Sequence, residues 1–157
     1  MKKTSLFFVS CVLISIVIST VSCSKQEPPK EIKGKIGVTF MDLTNPFFKL
    51  ISNAMTDEAA KFGYEVVSVN GESDPAKQNT QLSDFVAQGY DAIFLNPVDS
   101  IAAGEGAKKA HAAGIPVFTF DVQITADDAK DLVIHHLGSD NYQGGLLAGE
   151  SMMKVTG

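Results

Sequence analysis

Five short runs rich in β-branched and aromatic residues recur along the chain, at 36–40, 65–69, 92–95, 116–120 and 132–137. Between most of them lies a segment with helical apolar spacing. No other feature constrains the fold as much. Strands joined by helices need right-handed crossovers, which make the sheet parallel and place helices on both of its faces. The expected fold class is α/β, a doubly wound parallel sheet flanked by helices.

Punctuation residues mark the helices. Asn45-Pro46-Phe47-Phe48 opens the first, because proline suits a first turn where its missing N–H is not needed. Leu50, Ile51, Ala54, Met55, Glu58 and Ala59 form its stripe, and Gly63 stops it. Asp74-Pro75 starts a second helix that runs to about Gln88 and ends at Gly89. Ser100 is expected to cap a third through Ala113, ended by Gly114, and Asn141 opens a last one reaching about Val155.

Polar residues follow every strand: Asp42 and Asn45, Asn70, Asn96-Pro97, Asp121, then Ser139 and Asp140. In an open parallel sheet these positions share the carboxyl edge, where ligands bind. Asn70, Asp99 and Asp140 read as caps and turns. Asn96 and Asp121 directly follow buried runs and read as ligand groups. Phe47 and Phe48 are helical neighbours about 100° apart, so both cannot enter one core. One is expected inside and the other toward the strand ends. An aromatic face beside a side-chain amide suits a sugar or polyol, offering a flat surface to C–H groups and hydrogen bonds to hydroxyls.

The start of the chain reads as a leader. Lys2 and Lys3 precede an apolar run from Leu6 to Val21 that ends at Ser22-Cys23. That run is short for a membrane span. Thr20-Val21-Ser22-Cys23 resembles a bacterial lipoprotein processing box, although Thr20 stands where leucine is usual. The expectation is a signal peptide over 1–22, lipidation at Cys23, and a tether over 23–33 containing Pro28-Pro29. Plain secretion or an uncleaved anchor are the alternatives. The protein would then be extracytoplasmic and held to a membrane by lipid. The only other cysteine, Cys11, lies within the leader, so no disulfide pair and no metal cluster remain. No cofactor is expected.

All 13 basic residues are lysine, against 18 acidic ones. Without Lys2 and Lys3 the balance is 11 against 18, a net charge of −7. Such a surface is a poor partner for nucleic acid. It also lacks the guanidinium fork that grips carboxylates and phosphates, which points to a neutral ligand.

Four segments together carry a resemblance: Ile36 through Phe48, Asn96-Pro97-Val98-Asp99-Ser100, Thr119-Phe120-Asp121 and Gly138-Ser139-Asp140-Asn141. Their order resembles that in periplasmic sugar-binding proteins of the ribose-binding type, the substrate-capturing subunits of ABC importers. The resemblance implies two α/β lobes closing on one sugar, with importer membrane subunits as partners. It implies hydroxyl contacts from Asn45, Asn96 and Asp121, ring packing from Phe47 and Phe48, and a place for Ser139 near the crossing between lobes. Two positions depart from the pattern. Val122 stands where ribose binders carry arginine, and Met41 where they carry a small hydroxyl residue. Both remove polarity facing the sugar, so ribose itself is not implied.

The resulting organisation is a sugar-binding lobe over 34–139 and the first helix of a second lobe over 140–157, where the chain stops. Two other classes fit less well. A sugar-responsive regulator needs a basic helix-turn-helix where the leader stands. A doubly wound enzyme needs a phosphate loop or a nucleophile–base pair. Asp42-Leu43-Thr44-Asn45 occupies the loop position, His111 lies mid-helix, and strand alternation sends His135 and His136 to opposite faces.

Overall fold

The computed structural model describes residues 31–156. The leader, Cys23 and most of the tether lie outside the described residues.

The elements follow in order: β1 (Gly34–Phe40), α1 (Pro46–Lys61), β2 (Tyr64–Asn70), α2 (Pro75–Ala87), β3 (Ala92–Leu95), α3 (Gly104–Ala112), β4 (Val117–Phe120), β5 (Val133–Leu137) and α4 (Asn141–Thr156). A 3-10 turn, Lys130–Leu132, precedes β5. The five strands form one sheet in the order β2-β1-β3-β4-β5, every pair parallel. The order reverses between β1 and β3, the topological switch point of such sheets.

Local chemistry accounts for most boundaries. Asn45 caps α1 by accepting the Phe47 N–H at 2.9 Å, and Pro46 follows in the first turn. Asp74 caps α2 by accepting the Ala76 and Lys77 N–H groups at 2.8 and 3.2 Å. Gly63 takes a φ of 87° after α1, a left-handed value that would strain a side chain, and Gly89 and Gly114 end their helices in the same way.

Two expectations are corrected. Ser100 does not cap the third helix. The Asp99 carboxylate accepts the Ile101 and Ala102 N–H groups at 2.9 and 2.7 Å, turns occupy 100–103, and α3 begins only at Gly104. An ionised oxygen is the stronger acceptor for the N–H groups of that turn. Leu50, Ala54 and Glu58 are exposed, so the inward face of α1 is Phe48 with the half-buried Ile51, Met55 and Ala59.

The sheet separates two apolar cores. On one face α2 and α3 pack Leu82, Phe85, Ala107 and Ala110 against Ile93, Leu95 and Val117. On the other, α1 brings Phe48 onto Val38, Phe40 and Phe120. Phe40 meets Phe120 edge-on at 5.3 Å between ring centres. Burial of each such side chain contributes about 1.5–3 kcal/mol relative to exposure. All of α4 is exposed, and Tyr142, Leu146 and Met153 face solvent along it.

Candidate functional site

At the carboxyl edge a cavity of about 370 Å³ opens between α1 and the ends of β3, β4 and β5. Phe47, Ile51, Met55, Phe94, Phe120, Asp121, Leu137, Gly138 and Ser139 line it. The wall is apolar apart from Asp121 and Ser139. Asp121 is its one ionisable side chain, and no described residue forms an ion pair with it.

Asp121 owes its place to a tight turn. Its N–H donates to the Leu137 carbonyl at 2.8 Å, which ties the end of β4 to the end of β5. The next N–H, of Val122, returns to the Phe120 carbonyl at 2.8 Å, closing a three-residue γ-turn with Asp121 at its centre. There Asp121 has a φ of 63°, a conformation that costs most side chains energy but that aspartate tolerates. Strain of this kind concentrates at functional sites.

The two phenylalanines part as expected. Phe48 is 5% exposed and packs into the α1-face core, whereas Phe47 is 56% exposed and forms a cavity wall. Phe48 therefore packs on Phe40 and does not line the cavity, so of this pair only Phe47 joins Phe94 and Phe120 in the wall. Asn45 precedes that wall in the chain and is not among the residues lining the cavity. Its carbonyl oxygen is used by the cap, and its amide nitrogen has no hydrogen-bond partner among the described residues. Ser139 lines the cavity directly.

Asn96 departs most from expectation. It is fully buried and does not line the cavity. Its Oδ1 accepts the Met41 N–H at 3.1 Å, and its Nδ2 donates to the Phe120 carbonyl and to Asp121 Oδ2, both at 3.2 Å. Its backbone N–H reaches the Thr39 carbonyl at 2.9 Å. In the described lobe its amide is committed to the strand ends and not to the cavity surface. Its amide supplies hydrogen bonds to the backbone groups at the ends of β1 and β4.

The remaining strand-end residues act locally. Asn70 Oδ1 accepts the Leu43 and Glu72 N–H groups at 3.0 Å each. Asp140 accepts the Gln143 N–H at 2.9 Å and opens α4. Met41 packs its side chain into the α1-face core. Hydrogen bonds from the Ala102 and Ile101 N–H groups hold the Asp99 carboxyl below its usual range.

Sequence reasoning missed Ile51, Met55, Phe94, Phe120, Leu137 and Gly138 as cavity walls. A signal existed for part of this set, because Phe47, Ile51 and Met55 recur at a spacing of four and share one helix face. It also missed a buried polar brace behind the site. Gln78 Nε2 donates to the Asn96 carbonyl at 2.9 Å and to Thr39 Oγ1 at 3.3 Å, and Gln78 Oε1 accepts the Val98 N–H at 2.8 Å. Among the described residues no group of three or more His, Cys, Asp or Glu side chains could hold a metal ion, and no helix is long and apolar enough to cross a membrane.

A parallel α/β lobe with an aromatic and a carboxylate at the strand ends defines a class of ligand-binding lobes that capture small molecules at the sheet edge. The family follows from comparison. The model of the periplasmic binding protein domain matches residues 36–157, and the chain belongs to that family. It is 34% identical over 157 residues to the ribose import binding protein of Salmonella typhimurium, spanning all of this chain and 49% of that protein. It is 34% identical over 113 residues to the D-apiose import binding protein of Paraburkholderia graminis, covering 72% of this chain and 35% of that one. The Caulobacter myo-inositol binding protein, solved with myo-inositol bound, superposes with a TM-score of 0.71 at 29% identity, covering 78% of this chain and 40% of its own. The chain spans about half the length of the curated relatives it matches.

Proposed function

We propose that the protein is a lipid-anchored, extracytoplasmic substrate-binding protein that captures a neutral monosaccharide or polyol for a sugar ABC importer. The observation that carries this reading is Asp121, a carboxylate held in a strained turn at an apolar cavity whose wall includes the exposed ring of Phe47. A polyhydroxylated ring has an apolar C–H face and a polar hydroxyl rim, and this wall offers a surface for each. The relatives' named ligands, ribose, D-apiose and myo-inositol, are uncharged compounds of that kind. An acidic chain without arginine lacks the planar fork that grips an anionic one in bidentate fashion. Phe47 stacks on the ring, Asp121 accepts from its hydroxyls, and Ser139 and the Asn45 amide add hydrogen bonds at the rim.

Calorimetric titration against neutral sugars, polyols and sugar acids tests the reading. The 157-residue chain and a version carried to the length of its relatives are both titrated. The longer version should bind a neutral compound, and the short chain should bind it weakly, because one wall leaves the far hydroxyls in water. Binding only of sugar acids overturns the neutral-ligand reading. The anchor rests on Ser22-Cys23 and the apolar run before it. Mass spectrometry of the mature N-terminus should find acylated Cys23, and a Cys23→Ala variant that still carries a processed acyl chain overturns it.

A further inference from the structure

The chain holds one Asn-Gly pair, Asn70-Gly71, at the end of β2. A glycine after asparagine offers its nitrogen without the screen of a side chain, so ring closure onto the asparagine amide is easy in a free chain. Here close approach demands the glycine, because a Cβ on Gly71 would lie 2.7 Å from the Phe40 carbonyl oxygen. The Gly71 N–H donates to that same oxygen at 2.8 Å, and the Ser73 N–H donates to the Met41 carbonyl at 2.8 Å. Gln81 Nε2 donates to the Asn70 carbonyl at 2.7 Å. Glu72 and Ser73, with φ of 53° and 56°, continue the turn along a left-handed path that costs most side chains energy. In the described sheet β2 is an edge strand, with a ladder on one side only.

We propose that Asn70-Gly71 is a latent deamidation site, silenced in the folded lobe by the β1–β2 ladder and released when the end of β2 opens. The Gly71 nitrogen loses its proton to water and bonds to Cγ of Asn70. The Cγ–Nδ2 bond then breaks, and Nδ2 leaves as ammonia with a proton returned by water. Water opens the resulting imide at either carbonyl, giving aspartate or isoaspartate at position 70, and nothing is oxidised or reduced. The lock lies at the nucleophile. The Leu43 and Glu72 N–H groups, each 3.0 Å from Asn70 Oδ1, would stabilise the oxyanion formed at Cγ, and Nδ2 has no hydrogen-bond partner among the described residues. Neither feature holds the reaction back. The Gly71 N–H must first leave the Phe40 carbonyl, so the rate follows the open fraction of that bond. Aspartate keeps an oxygen for the Leu43 and Glu72 N–H groups. Isoaspartate adds a methylene to the main chain, so the Gly71 and Ser73 N–H groups lose register with Phe40 and Met41, and the loop leading to the Asn45 cap comes loose. This chemistry is independent of what the cavity binds.

The unmutated chain is incubated at mildly alkaline pH in water and across a urea series. Peptide mapping by mass spectrometry follows conversion of the amide at position 70 to an acid, and hydrogen exchange follows the Gly71 N–H. In high urea the pair should convert at the free-chain rate. In water conversion should be slower by about a hundredfold or more, and at each urea concentration it should be slowed by the same factor as Gly71 exchange. Gln81→Leu removes the bond to the Asn70 carbonyl and the one from the Thr39 hydroxyl, and should speed conversion and exchange together. If that variant fails to fold, it should convert at the free-chain rate, and slow conversion there counts against the lock. Chain aged until isoaspartate accumulates should lose exchange protection at the Leu43 and Ser73 N–H groups while the β3–β4 ladder keeps its own. A Gly71 N–H protected in water while Asn70 converts at the free-chain rate overturns the proposal. So does a Gly71 N–H without protection in water, or an Asn70 that stays intact in high urea.

Discussion

The side-chain amide of Gln78, on α2, donates to the backbone carbonyl of Asn96 at 2.9 Å, while its oxygen takes the Val98 N–H at 2.8 Å. A helix side chain thus serves the turn after β3 as a neighbouring strand would. Gln78→Leu keeps the volume and removes these bonds together with the longer one to Thr39 Oγ1 at 3.3 Å. The buried carbonyl of Asn96 is left without that partner, and stability should fall by about 1–3 kcal/mol in urea unfolding. Unchanged unfolding would show that water replaces the amide.

Asp121 separates function from backbone strain. Asp121→Ala puts an alanine at a φ of 63° and should destabilise the fold by about 1 kcal/mol, whereas Asp121→Gly relaxes the turn and should not. Both remove the acceptor, so both should weaken sugar binding by roughly tenfold to a hundredfold in the protein carried to its relatives' length. Equal stability of the two variants would mean that the turn is not strained.

Gly138, in the cavity wall, has no room for a side chain. A Cβ there would lie 2.5 Å from His136 Nε2, and the His136 ring is held through its other nitrogen by Thr119 Oγ1 at 2.9 Å. Gly138→Ala should therefore cost about 1–3 kcal/mol through overpacking. The penalty should largely disappear in a His136→Ala background, which a double-mutant cycle measures. A full penalty in both backgrounds would place the constraint in the backbone.

The Asp99 carboxylate contributes a pH dependence of known sign. Its value is lowered in the folded state by the Ala102 and Ile101 N–H groups, so it stabilises the fold above its ordinary unfolded value. That contribution is lost as pH falls through the ordinary carboxylate range toward the lowered folded value. Between about pH 6 and pH 3 the melting temperature should fall further in the unmutated chain than in Asp99→Asn, which keeps a capping oxygen but no charge. Parallel curves would remove Asp99 as a source of acid sensitivity.

Much of this molecule is legible in its residues alone. The order of strands and helices, the proline-led starts at Pro46 and Pro75, and the helix stop at Gly63 depend on contacts within a few residues. Local spacing and backbone preference therefore determine them. The same holds for the family, whose four segments stand in order, and for the division of labour between Phe47 and Phe48, since adjacent helical residues must diverge.

Tertiary structure decided what adjacency cannot reach. Asn96 and Asp121 look alike in sequence, each a polar residue after a buried run, yet one is fully buried and the other lines the cavity. Both β3 and β4 lie inside the sheet, so strand position alone does not separate them; the Asn96 side chain turns inward and bonds the Met41 N–H after β1 and the Phe120 carbonyl at the end of β4. The residue after β4 turns out through a γ-turn. The pairing of Asn96 with Asp121 spans 25 residues, and that of Gln78 with Asn96 spans 18. No local pattern encodes such partners; strand order and register bring them together, and the cost of burying an unpaired polar group then selects which atoms bond.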